Sequence, residues 1–205
     1  MSKDTPIDRI YQELGVAIEA LRKSGEVSAQ VVVEDHARKA LLLSVASHFE
    51  HKLTGHLKQL SSMSKNTLLT EFVIRKAITR QYHTLFNWDC KNANSFFALF
   101  GADFKQRMET KVTANTDLDN SIRAFLELGS LRNQLVHNDY ATFSLEKTSD
   151  EIYLLYQTAL YFIDSLPGYL SEPSCDDEEQ KHASSDVLTG STTQQQDAAA
   201  VAADS

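Results

Sequence analysis

The stretch GSLRNQLVHNDY, residues 129–140, places Arg132, Asn133 and His137 within two turns of a segment that otherwise reads as a packing helix. A guanidinium is a permanent cation with a rigid fork of donors, and an imidazole takes or gives a proton near neutrality. Side by side they can hold an anion and move a proton next to it. At about 100° per residue, Phe125, Leu128, Leu131, Leu135 and Val136 share one broad apolar face, and Arg132 falls between Leu128 and Val136. His137 lies about 140° around from Arg132 and about 7.5 Å further along the axis, with Asn133 on the angular path between them. A cation on an apolar seam needs an anionic or hydrogen-bonding partner. The plain structural alternative is a helix edge whose arginine snorkels outward while His137 caps the last carbonyls.

The elements that must position these residues are helical throughout. Ile7, Ile10, Tyr11, Leu14, Ile18 and Leu21 recur at three- and four-residue steps, and Gly25 closes that helix. A longer helix from about Gln30 to Leu60 carries Ala37, Leu41, Val45, Phe49, Leu53 and Leu57, a stripe widened by Ala40, Leu42 and Ala46. NTLLTEFVIRKAITRQYHTLF reads as one further helix capped by Asn66. The run from Asn87 is irregular first and helical later, with FFALFG as a short buried piece ending at Gly101. Asp117 opens the helix that carries the Arg–His pair, and a last helix, roughly Ser149 to Leu166, is stopped by Pro167-Gly168. Seven glycines and three prolines in 205 residues are too few for an all-β or doubly wound fold, so the expected class is all-α.

Charge and cysteine usage bound the setting. Residues 171–205 hold eight acids against Lys181 alone, a net −7, which leaves about −1 of the chain's −8 to residues 1–170. The expected organisation is a helical domain over 1–170 and a disordered acidic tail over 171–205. A near-neutral body lacks the broad basic footprint of a general nucleic-acid binder, though it allows a local one. Cys90 and Cys175 form no CxxC pair or disulfide framework, and no run approaches a signal-peptide core or a membrane span. These features imply a cytoplasmic protein without membrane contact.

Two other clusters hold residue types that can do chemistry. HFEHKLTGH, with His48, His51 and His56 around Glu50, is not HExxH, so a surface cluster is the expected reading and no metal is implied. Arg75, Lys76, Arg80 and Lys91 concentrate positive charge around Gln81-Tyr82-His83 and Trp88. Phosphate contact with a base stacked on Tyr82 or Trp88 is one reading, and structural packing of Trp88 is the other. No phosphate-cradling glycine loop, serine nucleophile elbow or Cys–His pair is visible.

LGSLRNQLVHND resembles the signature of the HEPN superfamily: an arginine, a polar residue, three more residues and a histidine near the end of a long helix. More specifically, the body resembles the RiboL-PSP-HEPN branch. An early helix there bears a Ser-x-x-Glu element, here Ser47-His48-Phe49-Glu50, and a short FG segment precedes the signature helix, here FFALFGADF. The likeness runs in order over about residues 30–166. It implies an antiparallel helical bundle with long helices, often dimeric with the signature helices facing each other. It also implies a metal-independent endoribonuclease needing no cofactor. On that likeness Arg132 would bind or polarise the scissile phosphate, His137 would serve as acid or base, Asn133 would orient the pair, and Glu50 would support Arg132.

RNA cleavage by its own 2′-OH needs one proton taken from that hydroxyl and one supplied to the leaving 5′-oxygen, both within reach of imidazole. Negative charge grows on the phosphoryl oxygens, where a guanidinium stabilises it. One chain offers one signature histidine, and a two-fold homodimer would supply two. The resemblance places such a protein among toxins or phage-defence effectors, with RNA as substrate and an antitoxin or defence-system protein as partner. A non-catalytic HEPN scaffold that binds RNA or a partner protein is the alternative, favoured by the near-neutral body and acidic tail. One departure stands out. In HEPN toxins paired with a nucleotidyltransferase antitoxin, the modified tyrosine lies two residues after the histidine. Here that position is Asp139, with Tyr140 one later.

Overall fold

The fold hangs on one helix that is long because nothing in it stops. From Val27 to Ser62 there is no proline and a single glycine, Gly55, and these 36 residues form α2. The computed structural model describes residues 5–172; the acidic tail expected over 171–205 therefore lies almost entirely outside the described residues. Helix α1 (Pro6–Ser24) starts from a capping box in which Thr5 and Asp8 each bond the other's backbone N–H. It ends at Gly25, whose φ of 76° turns the chain back onto α2.

Next come α3 (Thr67–Val73), α4 (Asn94–Ala98), α5 (Ala102–Ala114), α6 (Thr116–His137) and α7 (Ser149–Ser171), and no strand occurs among the described residues. Phe49 of α2 meets Phe125 of α6 and Tyr156 of α7, at ring distances of 5.6 and 5.4 Å. Phe125 in turn meets Phe162 at 5.6 Å. These four side chains are essentially unexposed, each worth about 1.5–3 kcal/mol of burial. Between α6 and α7, Ser121 Oγ donates to the Ala159 carbonyl at 3.3 Å and accepts from the Phe162 N–H at 2.6 Å. Asn115 Nδ2 donates to Tyr161 Oη at 3.0 Å nearby, while Lys147, just ahead of α7, pairs with Glu127 further along α6 at 2.8 Å, so α6 and α7 run antiparallel.

Two expected boundaries are wrong. The helix expected from Asn66 through the YHTLF segment breaks: α3 ends at Val73, a π-helical turn spans Ile74–Ile78, and a 3₁₀ turn follows at Tyr82–Thr84. Three of the residues at the break, Ile74, Ile78 and Thr79, are β-branched and stiff at χ1, and the widened turn buries Ile78 against the core. Helix α7 also runs past Pro167 to Ser171 instead of stopping there. Proline has no N–H to offer the carbonyl four residues earlier, that of Ile163. Tyr169 and Leu170 still pack on the core beyond the proline, which keeps the last turn helical.

Candidate functional site

The C-terminal half of α6 is positioned from both ends. At its start the Asn115 side chain accepts from the Leu118 N–H at 3.1 Å, and Asp117 and Asp119 face the positive end of the helix. At its finish, Asn138 closes the last turn, its side chain donating to the Gln134 carbonyl at 2.7 Å. His137 therefore does not do the capping. Its side chain is exposed, and no group among the described residues lies within hydrogen-bond distance of its ring.

The segment beyond is tied down by a residue the sequence did not single out. Lys39 of α2 is only 2 % exposed. Its Nζ pairs with Asp35 at 2.8 Å, donates to the Tyr140 carbonyl at 3.2 Å and lies 5.2 Å from the Tyr140 ring centre. Lys39 and Arg38 beside it hold the Asp35 carboxyl below the usual carboxylate range. The His36 ring lies near-parallel to Tyr140 at 6.3 Å. The chain that leaves the signature helix is thus pinned to α2 by a buried cation.

Arg132 is half-buried, on the edge of the seam rather than within it, because Val136 is 50 % exposed and does not join the core. Its guanidinium donates to Asn133 Oδ1 at 3.1 Å. No carboxylate among the described residues lies within 4 Å of it. Arg132 and Asn133 line a cavity of about 260 Å³ between α2, α6 and the segment 80–88. Glu50 lines the same cavity but forms no ion pair with Arg132, and Ser47 lies outside on the exposed side of α2.

Trp88 is the wall of this cavity. Its indole N–H donates to the His83 carbonyl at 2.9 Å, and its ring packs at 5.1 Å from Phe86 and 5.7 Å from Phe125. It lies so close over α6 that a β-carbon on Gly129 would sit 2.1 Å from the ring. A second, more open depression contains His137, and Asn133 and Trp88 line both. The structure thus gathers Arg132, Asn133 and Glu50 at one cavity and places His137 at its neighbour.

Arg80, Tyr82 and His83 also line the Arg132 cavity. Burial, with the Glu50 carboxylate adding to it, pushes the Tyr82 hydroxyl well above its ordinary value. The basic concentration in the sequence hinted at this group, and the packing reading of Trp88 holds as well. A glycine inside an apolar helical run was the available signal for Gly129. The surface reading of the histidines fails for two of three. His48 and His56 turn toward α7 with a ring nitrogen buried and unpartnered, while His51 is exposed.

An all-helical bundle whose long sixth helix ends in Arg-Asn-x3-His is the architecture of a HEPN domain. Residues 10–172 match the family model RiboL-PSP-HEPN, and the chain belongs to that HEPN-type family. Comparison with curated proteins and with solved structures returns no match. No helix of the described residues is long and apolar enough to cross a membrane.

Proposed function

We propose that this chain is a metal-independent endoribonuclease of HEPN type that cleaves RNA by attack of its own 2′-OH. The observation that carries this reading is a half-buried guanidinium, Arg132, that lines a cavity without an acid in ion-pair range, next to an exposed and unbonded His137. A phosphate is the anion such a guanidinium takes, held by two parallel N–H donors. Asn133 fixes the guanidinium through its 3.1 Å bond. As the 2′-oxygen bonds to phosphorus and the bond to the 5′-oxygen breaks, one histidine accepts the hydroxyl proton and another protonates the leaving oxygen. The second histidine comes from a two-fold partner whose α6 faces this one, with exposed Val136 on the seam between them.

The working domain is residues 1–170, with the acidic stretch 171–205 outside it. The setting that fits the family is the cytoplasm, as a toxin or phage-defence effector held by an antitoxin or another defence-system protein. Purified full-length protein in EDTA should cut single-stranded RNA to 2′,3′-cyclic phosphate and 5′-hydroxyl ends, and Arg132→Ala should reduce the rate at least about a hundredfold. Products with 3′-hydroxyl and 5′-phosphate ends would exclude the 2′-OH route.

One observation favours a non-catalytic scaffold instead: within one chain, Arg132 and His137 line different depressions. That reading expects RNA or partner binding that survives His137→Ala, with no cleavage of any RNA.

A further inference from the structure

We infer, resting on the ribonuclease reading above, that the cavity beside Arg132 is a guanine subsite: Glu50 accepts the two adjacent N–H donors of the base's Watson–Crick edge, and the base lies against Tyr82 and Trp88. The cavity is about 260 Å³, just under the ~300–1,000 Å³ of pockets for drug-sized ligands, which suits one planar heterocycle. Two aromatic rings line it, with centres 5.5 Å apart, and aromatic faces are what unstacked RNA bases pack on. Glu50 is half-buried in its wall without an ion-pair partner among the described residues.

A carboxylate offers two acceptors and no donor. Guanine alone presents two neighbouring N–H groups on its Watson–Crick edge. Adenine and cytosine set a ring nitrogen lone pair beside one amine, and uracil flanks its single N–H with two carbonyls, so each would face a carboxylate with repulsion. Tyr82 lines the cavity too, and a phenol O–H is a donor suited to the guanine O6. Arg80 has a left-handed φ of 60°, unusual for a residue other than glycine, and lies two residues after the π-helical turn. Such backbone costs about 1–3 kcal/mol and persists where the surroundings enforce it, often at ligand sites. Here it puts Arg80 on the same cavity as Arg132, offering the nucleotide's phosphate a second cation.

Trp88 is the sole tryptophan, so its fluorescence reports on this cavity directly. Full-length protein would be titrated with guanosine, adenosine, cytidine, uridine and inosine 3′-monophosphates. The guanosine nucleotide should bind at least about tenfold tighter than the adenosine, cytidine and uridine ones, as a bidentate base contact of ~1–3 kcal/mol requires. Inosine, which lacks one of the two donors, should lose most of that advantage without any change to the protein. Glu50→Gln should bring all five within about threefold, with the circular dichroism unchanged. Equal binding of guanosine and inosine nucleotides, equal binding of all five, or no binding would each overturn the inference, as would a preference that survives Glu50→Gln. The titration should give the same result in His137→Ala, so it stands or falls separately from cleavage.

Discussion

Gly129 and Trp88 are fitted to each other: a β-carbon on the glycine would come within 2.1 Å of two indole ring atoms. The ring cannot swing away freely, because its N–H is bonded to the His83 carbonyl and it packs at a tilt against Phe86 and Phe125. Gly129→Ala should therefore destabilise the fold by about 1–3 kcal/mol through overpacking, despite the ~1 kcal/mol that alanine normally adds to a helix. It should also shift the Trp88 emission, because the indole must move away from the new methyl group. A melting temperature equal to or above the parent's would show that the contact is not tight.

Lys39 ties the segment after the signature helix to α2. Lys39→Ala removes a buried cation and three interactions, while Asp35 keeps Arg38 at 2.8 Å. Loss of about 1–3 kcal/mol is expected by chemical denaturation. Hydrogen exchange should quicken at Tyr140 and Ala141 more than at the middle of α6. Uniform quickening along α6 would mean that Lys39 supports the bundle at large and not this segment.

Stability should depend on pH through His48 and His56. Burial, with Lys52 adding, holds both imidazoles below their ordinary value in the folded chain. The unfolded chain binds their protons at about pH 6.5, so their contribution is full above that pH and is lost as pH falls through the lowered folded values. Asp8 and Asp35 are lowered too, but they act only below about pH 4. The melting temperature should fall as pH is lowered from about 7.5 to about 5.5, and less steeply in His48→Gln. A flat profile across that range would contradict the burial of the two rings.

The proposed dimer places Val136 in its seam. Val136→Glu adds a charge to a position half-exposed in the single chain, so the monomer should fold as before. Light scattering should then report a monomer where the parent is a dimer, and RNA cleavage should fall with it. A Val136→Glu protein that remains dimeric would place the interface elsewhere.

The long helices were legible because they are written locally, in apolar spacing and in end residues such as Asn66 and Gly25, although α6 begins at Thr116 behind an Asn115 cap and not at Asp117. The Arg132–His137 spacing was legible for the same reason. Lys39 was not, since its partner Tyr140 is 101 residues away and a lysine in KALLL reads as one that snorkels to water. The break after Val73 carries no glycine or proline to mark it. Pro167 carries the opposite error, a stop signal overridden by the packing of Tyr169 and Leu170. Val136 looked like core by its angle alone, yet nothing packs over that edge of α6 within one chain to bury it fully.

The central claim is that His137 moves a proton during RNA cleavage at a site centred on Arg132. The most direct measurement is the rate at which wild type and His137→Ala cut the same single-stranded RNA in EDTA, with folding checked by circular dichroism. His137 is exposed and bonds to nothing among the described residues, so its removal should leave the fold intact. The rate should drop at least about a hundredfold, the scale of a lost general acid or base. Equal rates for the two proteins would contradict the account.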